Sequence, residues 1–386
     1  MRPRPTTPSV LAVARAGAGT NNIPVAALSQ RGIPVFNAPG ANANAVKELV
    51  LAGMLIAARH IAPALRFTAA LDTAAPDLEQ RIEDGKKAFA GYELAGRTLG
   101  VVGLGKVGAL VAEAAIKLGM QVLGHDPEIT VDAAWSLPSQ VKRAGSVDEV
   151  LKNADFVSLH VPLLAATRGL VGAANLPLLR DGAVLLNFSR DGVVDHAALV
   201  AATRDLADDR RLVLMRPGAV LLNFSRDGVV DAAAAVRALD AGPLSHYVCD
   251  FPGPAIHGHP RVVALPHLGA STREAEENCA VMVIDQLRDY LEEGQVSNAV
   301  NFPTVQMARE SPWRVAIANA NVPNILGQMS TTMAQAGLNI HNMVNKSRGE
   351  MAYTLVDVDS PVAEGVLVSL RSIAGVLAVR YLPDGA

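Results

Sequence analysis

The chain is predicted to be an α/β protein built on a doubly wound parallel sheet, with a smaller α/β lobe before it and a small split-βαβ domain after it. Three observations carry this prediction. Apolar strands alternate with helical patterns through the middle of the chain, a glycine turn joins one strand to an amphipathic helix, and the tail reads strand, helix, strand, strand, helix, strand.

Taken in order, the first segment offers a strand at Val10 to Ala14, the loop R-A-G-A-G-T-N-N, and a short helix entered through Pro24. A strand at Ile33 to Asn37 and a long helix over Ala45 to Ile61 follow. A polar stretch, Asp72 to Lys87, leads to the glycine turn. Beyond it, strands are expected at Phe156 to His160, Val220 to Ser225, Tyr247 to Asp250 and Val262 to Leu265, and the helical patterns between them imply parallel pairing. A helical run from Thr272 to Leu291 and a linker around Pro303 to Pro312 precede the tail, Trp313 to Leu382. There Ser347-Arg348-Gly349-Glu350 is a hairpin turn and Pro361 opens the second helix.

The glycine turn carries the first chemical signal. From Thr98 to Pro127 the chain reads as a strand, the turn G-L-G-K-V-G, a helix and a second strand ending in an acid. Gly103 permits the tight turn, Gly105 lets backbone approach a pyrophosphate, and Gly108 lets helix pack on strand, with the phosphates on the helix N-terminus. Asp126 lies 18 residues past Gly108, where a carboxylate accepts hydrogen bonds from an adenosine ribose and repels a 2′-phosphate. NAD is therefore expected as cofactor rather than NADP.

An internal repeat complicates the sheet. G-A-V-L-L-N-F-S-R-D-G-V-V-D runs from Gly182 to Asp195 and again, letter for letter, from Gly218 to Asp231, a shift of 36 residues (218 − 182). Ala165-Ala166-Thr167-Arg168 matches Ala201-Ala202-Thr203-Arg204 at the same shift, so a whole helix-plus-strand unit is duplicated. Lengthening a loop costs only about 0.6 kcal/mol per doubling. A looped-out copy, however, would expose A-V-L-L-N-F to edge-to-edge pairing, and an added strand in the sheet is expected instead.

Composition bounds the setting. The chain has 386 residues, half of them apolar and 18% charged, which gives room for two or three cores and suggests either much buried surface or an oligomer interface. A net charge of −3 without a long basic run argues against nucleic acid or an anionic membrane as partner. Cys249 and Cys279 are too few for a disulfide framework, and the apolar stretch ending at Arg15 is too short for a signal core, so a cytoplasmic location is expected. The most apolar helix candidate carries Lys47, Glu48, Arg59 and His60 and reads as a core or interface helix, not a membrane span. No metal site is expected.

Each copy of the repeat ends its strand with an arginine, Arg190 or Arg226, and P-H-L-G-A-S-T begins at Pro266. Hydride transfer between a 2-hydroxy acid and NAD needs a planar cation to hold the carboxylate and a group of near-neutral pKa to take the hydroxyl proton. Arginine and His267 are those groups, at the carboxyl ends of strands where open α/β sheets bind ligands.

These residues sit in motifs that resemble the D-isomer-specific 2-hydroxyacid dehydrogenases, in particular the D-3-phosphoglycerate dehydrogenases with a C-terminal ACT domain. The motifs are R-A-G-A-G-T-N-N-I-P-V at Arg15, N-A-P-G-A-N-A-N-A-V-K-E-L-V at Asn37, G-L-G-K-V-G, H-V-P-L at His160, N-F-S-R-D-G-V-V-D, C-D-F-P at Cys249 and P-H-L-G-A-S-T-R-E-A-E-E-N-C-A. The resemblance implies a Rossmann domain over 63–267, a truncated flavodoxin-like substrate lobe from 1–62 and 268–304, a linker at 305–312 and a ferredoxin-like ACT domain over 313–386. It implies oxidation of 3-phosphoglycerate to 3-phosphohydroxypyruvate with NAD, the first step of serine biosynthesis, in a homo-oligomer. Arg226 or Arg190 would orient the substrate carboxylate, His267 would shuttle the proton, and Arg15 and Asn42 would line the substrate pocket. Lys106, Val107, Pro162, Asp250 and Gly269 would join the glycines and Asp126 around the cofactor, while Asn321 and Asn339 match positions that bind an L-serine effector.

The chain departs from that pattern in three places. A glutamate that should follow D-F-P and support the histidine is absent, the sequence reading Gly253-Pro254-Ala255. Each pKa unit lost would cost the imidazolium about 1.36 kcal/mol. Relatives carry a further α/β stretch before Leu11, whose absence leaves an open strand edge. Finally, if both repeats form strands, one is inserted between the sheet halves and displaces them by about 4.8 Å. Arg226 would then stay in register with His267, and Arg190 would not. Two alternatives remain open: another 2-hydroxy acid as substrate, or an inactive NAD- or amino-acid-binding module.

Overall fold

A computed structural model describes residues 10–20, 22–190, 192–195, 219–224, 230, 232–241, 244–250, 252–266, 268–269 and 271–384. The chain divides into two compact units, one of residues 1–42 with 273–386 and one of residues 43–272.

The N-terminal part of the first unit is β1 (Val13–Arg15), α1 (Val25–Ser29) and β2 (Val35–Asn37). The two strands pair in parallel and form a two-stranded sheet by themselves. The expected first strand begins later than its apolar letters, because Val10 and Leu11 are 50% and 43% exposed and have no core to enter.

The second unit is the parallel α/β body. It opens with α2 (Ala43–Ala58), α3 (Ile61–Ala69) and α4 (Leu78–Gly85), the last a helix inside the expected polar stretch. Then come β3 (Thr98–Val102), α5 (Lys106–Lys117), β4 (Gln121–His125), α6 (Val131–Trp135), β5 (Val141–Arg143), α7 (Val147–Asn153), β6 (Phe156–Leu159) and β7 (Val184–Asn187). β8 (Ala219–Asn223), α8 (Ala232–Ala241), β9 (Leu244–Cys249) and β10 (Val262–Ala264) complete it. The eight strands run in the order β10-β9-β8-β7-β6-β3-β4-β5, all parallel. A core lies on each face, as a doubly wound sheet requires. α2 belongs here: Val50, Met54, Ala57 and Ala58 pack with Val111 and Ala115 of α5 and with Leu186 and Leu222 of the sheet. The domain boundary expected after residue 62 therefore falls inside this unit.

Both repeats are strands, side by side. Val184 pairs with Val220 and Asn187 with Asn223, so each residue of β7 lies against its own duplicate in β8. Identical side chains keep identical faces toward each core, which satisfies the period-2 rule for both strands at once.

The first unit resumes with α9 (Arg273–Glu293), then β11 (Trp313–Ala320), α10 (Ile325–Gln335), β12 (Ile340–Arg348), β13 (Met351–Val358), α11 (Glu364–Ser372) and β14 (Val376–Pro383). The tail sheet is antiparallel in the order β12-β13-β11-β14, the split βαβ arrangement. One face packs on α10 and α11; the other joins Phe36, Tyr290 and Phe302 in a core shared with the first lobe. The tail is thus not a separate body, and the expected linker is packed structure: Val305 bridges Val296 and Met307 is buried. Pro361 does not open α11, whose N-cap is Ala363, since Val362 first turns inward to the tail core. No single helix among the described residues is long and apolar enough to cross a membrane.

Candidate functional site

The glycine turn links β3 to α5. Gly103 has φ +91°, and a Cβ there would lie 2.9 Å from the carbonyl of His160. A Cβ on Gly108 would meet the Gly103 carbonyl oxygen at 1.9 Å, so helix and turn interlock only without a side chain. Nothing lies within 4 Å of the same position on Gly105, the N-cap of α5, which leaves open space over the N–H groups of Lys106 and Val107. That is room for a pyrophosphate at a helix N-terminus.

Asp126 follows β4 and fastens the turn. Its carboxylate accepts from the Leu104 N–H at 2.8 Å and the Glu128 N–H at 3.0 Å. Each oxygen keeps a second lone-pair direction for a ribose hydroxyl. Beside it a cleft is lined by Leu104, Ile129, Leu137, Val141 and Arg143, an apolar slot with polar groups at one edge that fits an adenosine. The sequence reading missed Arg143 and the apolar wall; their signal was position, at and beyond the carboxyl ends of β4 and β5.

Along the carboxyl ends of β6, β7 and β8 lies an aromatic stack. His160 stacks on Phe188 with ring centroids 6.0 Å apart, and Phe188 on Phe224 at 4.7 Å, the second pair being one residue and its duplicate. His160 Nε2 and Ser158 Oγ are 2.8 Å apart, and burial pushes the imidazole down to about 3, so the ring is neutral near pH 7. The loop after β6 is tied to that after β7 by a bond from the Val161 N–H to Ser189 Oγ at 3.1 Å.

The predicted site residues fall as follows. Arg190 is exposed just beyond β7, its guanidinium donating to the Ser189 carbonyl at 3.0 Å. Arg226 and His267 lie outside the described residues. Pro162 is in the loop after β6, where its carbonyl accepts from Thr167 Oγ1 at 2.6 Å, and Asp250 is buried directly after β9. Gly269 has open space around it. In the other unit, Arg15 ends β1 and donates to Asn22 Oδ1 at 3.0 Å, and Asn42 directly precedes Ala43. Asn321 donates to the carbonyls of Glu350 and Gly349, and the Asn339 N–H to Asp359 Oδ1.

Known proteins show the same architecture. Residues 51–205 and 196–269 match the NAD binding domain of the D-isomer specific 2-hydroxyacid dehydrogenases, in two overlapping stretches that meet at the repeat. The chain is 30% identical over 381 residues to D-3-phosphoglycerate dehydrogenase of Haemophilus influenzae, covering 97% of this chain and 82% of that protein. NAD+-bound 3-phosphoglycerate dehydrogenase of Entamoeba histolytica superposes with a TM-score of 0.50 at 25% identity, over 75% of each chain. D-2-hydroxyisocaproate dehydrogenase, at 21% identity and a TM-score of 0.55 over 75% of this chain and 79% of that one, shares the fold. An interlocked glycine turn fastened by Asp126, the cleft beside it and these matches agree: the chain belongs to the D-isomer specific 2-hydroxyacid dehydrogenase family and is an NAD-dependent oxidoreductase.

Proposed function

We propose that the protein oxidises 3-phosphoglycerate to 3-phosphohydroxypyruvate, and that the inserted strand slows it. The observation that carries the reading is the dinucleotide cleft on a chain whose full-length relatives are D-3-phosphoglycerate dehydrogenases. NAD, when bound, accepts the hydride from the carbon bearing the hydroxyl. Arg226 holds the substrate carboxylate through paired hydrogen bonds, and His267 takes the hydroxyl proton. With no acid at Gly253 to Ala255, the imidazolium lacks its usual partner.

The test is NADH absorbance on mixing with 3-phosphohydroxypyruvate. Slow oxidation is expected, abolished by Arg226→Ala and reduced less by Arg190→Ala; the reverse order would move the carboxylate clamp to the first copy. A stable signal despite NADH binding would support a non-catalytic NAD-binding module, the reading favoured by the strand inserted between β7 and β9. We also assign Asn321 and Asn339 to an L-serine effector site. Thermal stability in millimolar L-serine should rise, and an unchanged melting temperature would leave the tail a purely structural part.

A further inference from the structure

A second group of charged side chains lies in the α/β body, away from the dinucleotide cleft. His60 joins α2 to α3 with a left-handed backbone, φ 49°, a conformation that non-glycine residues rarely adopt. The two helices bend by 66° there. The bend sets the His60 ring against that of His246 on β9, with centroids 5.7 Å apart. Further along α3, Arg66 reaches over β10 and donates to the Val262 carbonyl at 2.6 Å. Arg261 directly precedes β10, and because Val262 pairs with Tyr247, it falls opposite His246.

Four cationic or protonatable side chains therefore converge at one sheet edge. The groups acting on His246 are His60, Arg66 and Arg261, each cationic or protonatable. None of the four is held by a carboxylate among the described residues; Asp240, on α8, is paired with His259 at 3.1 Å. Burial first, and then these neighbours, push the His246 imidazole down to about 4. His60 also caps α3, whose first N–H groups add partial positive charge. Unbalanced positive charge of this kind is relieved by an anion, and two guanidiniums beside two imidazoles match an oxyanion with several acceptor oxygens.

We propose that the β9–β10 edge beneath α3 is a binding site for a phosphate dianion, formed by His60, His246, Arg66 and Arg261. His246 is the third residue of β9, toward the amino ends of the strands, whereas the glycine turn and Asp126 follow the carboxyl ends of β3 and β4. The site is distinct from the dinucleotide cleft. Binding favours the protonated His246 imidazole, because the anion offsets repulsion from Arg66 and Arg261 with attraction.

The test titrates the full chain, histidine-labelled for NMR, with inorganic phosphate against chloride at equal ionic strength. The ring signals of His60 and His246 should move with phosphate, and the His246 midpoint should rise by at least one pH unit. Arg66→Gln and Arg261→Gln should each weaken phosphate binding at least ten-fold and leave NADH affinity unchanged, with Arg261→Lys in between. Glycerol phosphate as competitor separates the sources: displacement marks a phosphomonoester as the ligand, its failure free phosphate. Ring signals in the wild-type chain that do not distinguish phosphate from chloride would overturn the proposal, as would equal movement in both glutamine variants.

Discussion

At the scale of single residues, the dinucleotide cleft rests on two glycines that do different work. Gly108 is a packing requirement, since a methyl group there would lie 1.9 Å from the Gly103 carbonyl oxygen. Gly105 has φ −70° and ψ −160°, which alanine adopts freely, and nothing lies within 4 Å of its would-be Cβ. Its lack of a side chain serves the ligand. Gly105→Ala should therefore melt within a few degrees of the parent chain yet weaken NADH binding by roughly ten-fold or more, about 1.4 kcal/mol. Gly108→Ala should lose both stability and NADH binding. Paired thermal melts and NADH fluorescence titrations would check this, and a Gly105→Ala protein with unchanged NADH affinity would remove the pyrophosphate from that turn. His160 belongs to the same scale. With its folded value near 3, below the ordinary 6.5, the unfolded chain binds the extra proton between those values, so stability falls as pH drops from about 6.5 toward 3.

At the scale of elements, the repeat is the feature that sets this chain apart. Its two strands pair residue for duplicate residue and place β9 and β10 one strand further from β3 than a single copy would. One strand spacing is about 4.8 Å. A misplacement of about 1 Å can cost a hundred-fold in rate, and the slowed turnover proposed above rests on that added spacing. Because the copies are identical, excising residues 182–217 leaves one intact copy and no foreign junction. The shortened protein should turn over 3-phosphohydroxypyruvate at least about ten-fold faster than the parent. Equal or slower turnover in a folded shortened protein would show that the sheet accommodates the extra strand without functional loss.

At the scale of the whole chain, two compact units carry two kinds of work. The unit formed by the first lobe, α9 and the tail is fastened by a buried ion pair: Arg314 and Asp357 are both 0% exposed and meet through two hydrogen bonds of 2.7 and 2.9 Å. Arg314 also donates to the carbonyls of Glu293 and Ala308, and Asp357 accepts from the Glu310 N–H. Helix end, connecting segment and tail sheet thus share one network. Without Asp357 the buried Arg314 keeps only the partly exposed Glu293 carboxylate, 3.6 Å away, and breaking a buried pair typically costs 3–5 kcal/mol. Asp357→Ala should lower the denaturant midpoint of this unit accordingly, with NADH affinity in the other unit preserved. A loss below about 1 kcal/mol would mean that Glu293 or water takes over the Arg314 charge.

Much of this was legible in the letters. Periodicity located the parallel strands, and the glycine spacing with Asp126 located the dinucleotide turn, because both depend on local geometry that recurs wherever a strand feeds a helix. The apolar cleft wall with Arg143 and the stack of His160 on Phe188 and Phe224 were not legible, since each joins residues from separate strands. The same holds for α2, whose apolar face suits any core, and for the segment 305–312, whose polar letters hide a packed path. The sequence by itself determined the strand–helix alternation around the glycine turn, the cofactor class and the existence of a duplicated strand, all of which follow from short-range patterns. Only the tertiary structure decided that the duplicate pairs beside its original, and that the tail shares a core with the first lobe. Those outcomes depend on which apolar faces meet, a long-range choice that no local pattern encodes.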